Sequence, residues 1–160
     1  PLWLLYRWRG TPLWEWSGVG FIIANGLALL AIAGFLLTLR DYDSGEFLGT
    51  RQWRNAVSNM DDQERLHIST IHRYVRHPWY FFGLIILWTR DMDAALLVSA
   101  LCITFYFWLG SLLEERKLLI YHGAIYAEYR ERVPGLLPLP WRHLSRSDAE
   151  QLTKKNTGEP

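Results

Sequence analysis

Arg76-His77-Pro78-Trp79-Tyr80 puts a guanidinium, an imidazole and two aromatic rings around one proline. Arginine pairs with anionic oxygens, histidine changes charge near neutral pH, and an aromatic face attracts cations. A second cluster, Glu114-Glu115-Arg116-Lys117, closes the next apolar stretch and brings carboxylates, which accept from amines and hydroxyls. Pro78 suits the first turn of a helix, where a missing N–H costs nothing. Residues just ahead of it can therefore face a polar ligand at a water–membrane boundary while those behind it enter an apolar layer. The two clusters are expected to form the walls of one site.

Three apolar stretches must position these clusters. Ser17 to Leu39 is a 23-residue run without a charge, roughly 34 Å as a helix and long enough to cross a bilayer. Gly20, Ala24 and Ala28 recur every four residues, giving a smooth face for close packing, and Asn25 suits an interhelical hydrogen bond. Trp79 to Thr89 is an apolar run of eleven residues, roughly 16 Å as a helix and too short to cross alone. After the polar turn Arg90-Asp91-Met92-Asp93, Ala94 to Leu113 supplies 20 uncharged residues that can cross. A helical hairpin over 78–114 follows, with both ends on one side and His77 brought near Glu114. The polar connection 40–77 precedes it; Asp61, Asp62 and Glu64 favour a helix N-terminus running toward Tyr74. Asp41, Asp43 and Glu46 do not continue to a calcium-loop pattern and read as solvated loop, and no other spacing indicates a metal.

Composition fits this arrangement. Half of the 160 residues are hydrophobic, Trp (9), Tyr (8) and Phe (7) are abundant, and charge is crowded into a few segments, which marks a membrane protein. A net charge of +1 without a basic stripe excludes nucleic acid as a partner. Single Cys102 excludes an internal disulfide and a cysteine metal cluster. Six Lys or Arg lie in 40–77 and eight after Leu113, against two before the first span and one in the hairpin turn, so the connection and the tail face the cytoplasm. Trp3, Trp8, Trp14 and Trp16 with Arg7 and Arg9 read as an interfacial belt. The start at Pro1, without a signal-peptide pattern, leads us to expect that earlier membrane helices precede this stretch. Tyr121 to Arg132 reads as a surface helix with Tyr126 and Tyr129 as neighbours, stopped by Pro134, Pro138 and Pro140. The polar residues of 143–160 are expected to be a disordered tail. The fold class is all-α: one integral membrane helical bundle with a hairpin, and a cytoplasmic segment, 115–142, covering a ligand pocket.

Arg76-His77-Pro78-Trp79-Tyr80, a hydrophobic hairpin, Glu114-Glu115 with Leu118, then Gly123, Tyr126, Tyr129, Val133 and Pro138 resemble, in that order, the C-terminal core of the isoprenylcysteine carboxyl methyltransferase and phospholipid methyltransferase superfamily. Phe47-Leu48-Gly49-Thr50-Arg51-Gln52 and the Trp-rich start are similar to its bacterial thiol-methylating, NnrU-like branch. The resemblance implies a multi-pass protein of the bacterial inner membrane and S-adenosylmethionine bound on the cytoplasmic side. The methyl acceptor would be a small thiol, foremost methanethiol, or a lipid-like molecule such as an isoprenylcysteine carboxylate or a phospholipid. Carried across, the cofactor-binding positions are Arg76, His77, Pro78, Tyr80, Glu114 and Glu115, with Tyr126 and Tyr129 in the covering segment. Two positions depart from the usual pattern: Phe82 and Thr70 stand where glycines are common.

Methyl transfer from a sulfonium is an in-line displacement that mainly needs positioning. Arg76 suits the cofactor carboxylate, Glu114 or Glu115 its amine or ribose hydroxyls, and Tyr80 or Tyr129 the sulfonium charge. His77, Arg76 and Glu114 are the catalytic candidates, with His77 or His72 as base if the acceptor is a thiol. Adjacent helix positions point about 100° apart, so one glutamate is expected to face the ligand. A structural role is favoured for His72, Arg73 and His122. Carboxylates at a helix C-terminus oppose its dipole, which favours a functional role for the pair. Sterol and steroid reductases, which bind NADPH, share an Arg-His-x-x-Tyr phrase but place an acidic residue soon after the tyrosine and glycine, where Leu84 follows Gly83 here. A non-enzymatic membrane protein is the remaining alternative, opposed by charged groups at the membrane edge. No pattern fixes an oligomeric state.

Overall fold

The computed structural model describes residues 10–40 and 68–157. The Trp3 to Arg9 belt, the acidic residues Asp41 to Glu46, the Phe47 to Gln52 phrase and the helix start at Asp61 lie outside the described residues. Strand β1 (Pro12–Trp14) is followed by helix α1 (Gly18–Arg40), helix α2 (Pro78–Trp88), strand β2 (Met92–Asp93), helix α3 (Ala94–Arg132) and helix α4 (Arg146–Thr157). The described residues are mainly helical, and α1 and α3 are long and apolar enough to cross a membrane.

In α1, Ala24, Ala28 and Ala31 are buried while Ile22, Leu29 and Leu30 face outward. Small side chains on one stripe let α2 approach closely. Gly34 completes the stripe: a Cβ there would lie 2.5 Å from the Phe82 ring. Phe82, standing where relatives of the motif carry glycine, is therefore a knob whose hole is a glycine of the neighbouring helix. Trp79 ties the same interface, donating from Nε1 to Thr38 Oγ1 at 2.7 Å and packing against Phe35 at 5.5 Å between centroids. Asn25 Nδ2 donates to the Phe21 carbonyl of its own helix at 2.8 Å.

Helix α2 has Pro78 in its first turn and is 11 residues long. Its short reach is closed off by β2, which pairs antiparallel with β1. Helix α3 then starts on Asp93, whose carboxylate accepts from the Leu96 N–H at 2.8 Å, a cap of about 1 kcal/mol. Trp88 Nε1 donates to Thr104 Oγ1 at 3.0 Å, joining the hairpin arms.

Two features of the helices differ from expectation. Glu114 and Glu115 do not end a helix: α3 continues past them to Gly123, whose φ of 53° and ψ of −127° break it before the chain turns helical again. Only glycine takes that conformation without strain. The dipole argument therefore does not apply to the pair, whose setting is decided by ion pairing. The residues from 146 to 157 are helix α4, not a disordered tail. Leu144, Ala149 and Leu152 are spaced to bury one stripe against Tyr126, Tyr129 and Val133, which supplies the apolar contact that an isolated polar helix of 12 residues lacks. Tyr126 and Tyr129 thus sit inside this core, not on a surface. Residues 70–74 are a turn, with Tyr74 and Val75 N–H donating to the Ile71 carbonyl at 3.0 and 3.3 Å.

Candidate functional site

The hairpin brings His77, ahead of α2, against Glu114 and Glu115, some twenty residues along α3. Gly135 and Pro134 meet the same place from the other side. Arg76 N–H donates to the Pro134 carbonyl at 2.9 Å and His77 N–H to the Gly135 carbonyl at 3.0 Å. A Cβ on Gly135 would stand 3.2 Å from Arg76 Nη2 and 3.4 Å from Glu115 Oε1, so a methyl group there would press on both side chains.

Glu115 is the hub. Its Oε1 accepts from Arg76 Nε at 3.0 Å and Nη2 at 2.5 Å, and lies 3.3 Å from His77 Nε2; its Oε2 lies 3.2 Å from Arg130 Nε. The Glu115 side chain is only 5% exposed, whereas that of Glu114 is 50% exposed. Glu114 Oε2 meets His77 Nδ1 at 3.4 Å. Each imidazole nitrogen therefore faces a carboxylate, and both can donate only in the charged imidazolium. Burial opposes charging His77, but its hydrogen bonds to Glu114 and Glu115 prevail and raise its pKa. The His77 bond holds the Glu114 carboxyl below its ordinary range against burial. At Glu115 burial acts upward and is outweighed by His77 and Arg76, so that carboxyl is lowered too.

The roles of the expected residues divide accordingly. Arg76 spends N–H groups on Glu115 and, through Nη1, on the carbonyls of Arg130 at 2.7 Å and Val133 at 2.6 Å, bracing the 133–135 turn. His77 is held at both nitrogens by the two glutamates. Glu114 is the glutamate that faces outward. The Tyr80 ring stacks on His77 at 5.4 Å and on Phe107 at 4.7 Å, forming a ladder of parallel rings from the charged cluster into the apolar layer. Pro78 is buried at the start of α2. Tyr126, 1% exposed, and Tyr129, 3% exposed, pack behind the cluster; burial foremost, with Glu115 adding to it, raises the Tyr126 pKa. Tyr129 donates to the His72 carbonyl at 2.6 Å, and Arg73 Nε to the Leu144 carbonyl at 3.1 Å, both fastening the 68–77 stretch to the C-terminal core.

Arg130 was not singled out by its sequence context, yet it is the half-exposed guanidinium of the site, at 47%. It lies thirteen residues beyond Lys117, the last charge of the motif clusters, across the glycine break, so no local pattern marks it. Together the groups present an outward carboxylate, an outward guanidinium and a stacked aromatic wall around a buried ionic hub. That set suits a ligand carrying both an ammonium and a carboxylate beside another cationic centre.

Comparison with known proteins finds relatives of one kind. The chain is 30% identical over 87% of its length to methanethiol S-methyltransferase 1 of Bradyrhizobium diazoefficiens, covering 50% of that protein. It is 31% identical over 84% of its length to methanethiol S-methyltransferase 2 of the same organism, covering 54% of it. To the methanethiol S-methyltransferase of Mycobacterium tuberculosis it is 32% identical over 88% of its length, covering 59% of that protein. The chain thus spans about half the length of the curated relatives it matches. No family model matches the chain, and no solved structure matches it.

Proposed function

We propose, from the premise that the chain belongs with the methanethiol S-methyltransferases in the isoprenylcysteine carboxyl methyltransferase-like family, that it transfers a methyl group to a small thiol, methanethiol being the best candidate. S-adenosylmethionine would supply an electrophilic methyl on a sulfonium. The observation that carries this reading is the contrast within the glutamate pair: Glu115 is consumed by Arg76, His77 and Arg130, while Glu114 keeps half its side chain open. Glu114 would hold the donor's ammonium and Arg130 its carboxylate, a zwitterion match made by charge-assisted hydrogen bonds. Tyr80, stacked between His77 and Phe107, would wall the pocket beside the sulfonium.

Acceptor activation then rests on field more than on a base. Arg76 and Arg130, with His77 biased toward its charged form by Glu114 and Glu115, set positive charge at the site, and such surroundings lower a thiol's pKa. The thiol would lose its proton to solvent and be held as thiolate for in-line attack, with His77 as a positioning charge. We place the site on the cytoplasmic side of a multi-pass inner-membrane protein, since the clusters share the side on which Lys and Arg accumulate. Calorimetric titration of the detergent-purified protein with S-adenosylhomocysteine and with NADPH tests the donor class. Saturable heat with the first, lost in Glu114→Gln, supports the reading; binding of NADPH alone would replace it with a reductase.

A further inference from the structure

At the far end of the hairpin, about 30 Å along α3 from Glu114, a cavity of about 240 Å³ opens between the starts of α1 and α3, with Trp16, Phe21, Asn25, Arg90 and Asp91 among its lining residues. Arg90 is poorly satisfied there. Its Nε is closed off from solvent with no acceptor, Nη1 reaches Asn25 Oδ1 only at 3.5 Å, and Nη2 reaches its neighbour Thr89 Oγ1 at 3.3 Å. Asp91 adjoins it in sequence, yet the two are not ion-paired; Asp91 Oδ1 accepts the Trp16 N–H at 2.9 Å and the residue is exposed. Two opposite charges lining one cavity without neutralising each other leave a cationic and an anionic half.

We propose that this cavity binds the headgroup of a zwitterionic phospholipid of the ethanolamine type. Arg90 receives the phosphate, which supplies the acceptors its guanidinium lacks. Asp91 takes the primary ammonium, with the Trp16 ring on its apolar side. The acyl chains continue along the outward apolar face of α1, where Phe21 and Ile22 are more than half exposed. The headgroup closes the end of the hairpin opposite the candidate site, and it uses none of that site's residues.

The test is native mass spectrometry of the protein extracted from bilayers of equal phosphatidylethanolamine, phosphatidylglycerol and phosphatidylcholine content. Phosphatidylethanolamine is expected to be retained over the other two, and Arg90→Gln to lower its retention about tenfold, the loss of a charge-assisted hydrogen bond. Asp91→Asn keeps the acceptor for the Trp16 N–H but removes the charge, so it should shift preference to phosphatidylglycerol; it also serves if Arg90→Gln does not fold. Equal retention of all three lipids by the unaltered protein would overturn the proposal, as would an unchanged preference in Asp91→Asn. Displacement of the lipid by inorganic phosphate alone would instead make this a simple anion site, and that too would overturn it.

Discussion

Replacing Glu115 by glutamine separates its role from that of Glu114. Glu115→Gln keeps the side-chain shape and removes the charge that Arg76, His77 and Arg130 share. The Arg76 and His77 side chains are 9% and 6% exposed, so neither can regain water when its partner is neutralised. Removing one member of a buried ion pair costs about 3–5 kcal/mol. Arg130 is 47% exposed and adds less than about 1 kcal/mol to that loss. Glu114→Gln, at a carboxylate that is 50% exposed, should cost less than about 1 kcal/mol. Denaturant titration in detergent, followed by far-UV circular dichroism, reads both. The expected result is crossed: Glu115→Gln loses stability, whereas Glu114→Gln keeps stability and loses ligand affinity. Equal stability of the two variants would refute the assignment of Glu115 as the buried hub.

Gly34→Val should force its side chain into the Phe82 ring, 2.5 Å from the Cβ position, at about 1–3 kcal/mol; pairing it with Phe82→Leu should recover much of that in the same titration. Gly135→Ala should push against Arg76 Nη2 and loosen the 133–135 turn, read as lower stability together with weaker S-adenosylhomocysteine binding. Stability should also depend on pH at both ends. His77 has a folded pKa above its ordinary 6.5, so its contribution is complete below 6.5 and is lost as pH rises through the elevated value. Glu114 and Glu115 have folded values below their ordinary 4.5, so theirs is complete above 4.5 and is lost as pH falls through the depressed values. Unfolding midpoints measured across that range should therefore be highest between the two limits, and His77→Asn should flatten the alkaline side.

The parts of this arrangement that sequence discloses are those set by local rules. An uncharged run of 23 residues makes α1, a proline and a short apolar run make α2, and a hairpin of two arms must return Glu114 to His77. What stays hidden is partner choice over long separations. Arg76 is a good ligand for a carboxylate, but which carboxylate it takes depends on the 133–135 turn, 57 residues away. Tyr126 and Tyr129 have the right spacing for a surface pair, and only Leu144, just ahead of α4, with Ala149 and Leu152 on it, turns them inward. Arg146 to Thr157 looks polar throughout because its buried stripe is only Ala149 and Leu152. Phe82 breaks a motif pattern for a reason that lies in another helix, at Gly34.

The central claim is methyl transfer to a small thiol, and it is tested most directly by supplying methanethiol and methyl-labelled S-adenosylmethionine to the purified protein in bilayers and measuring labelled dimethyl sulfide in the headspace. The account predicts label in dimethyl sulfide, with Glu114→Gln and Arg130→Gln slowing its appearance while both variants stay folded. Label that appears in lipid or in a protein carboxyl methyl ester, and none in dimethyl sulfide, would contradict it.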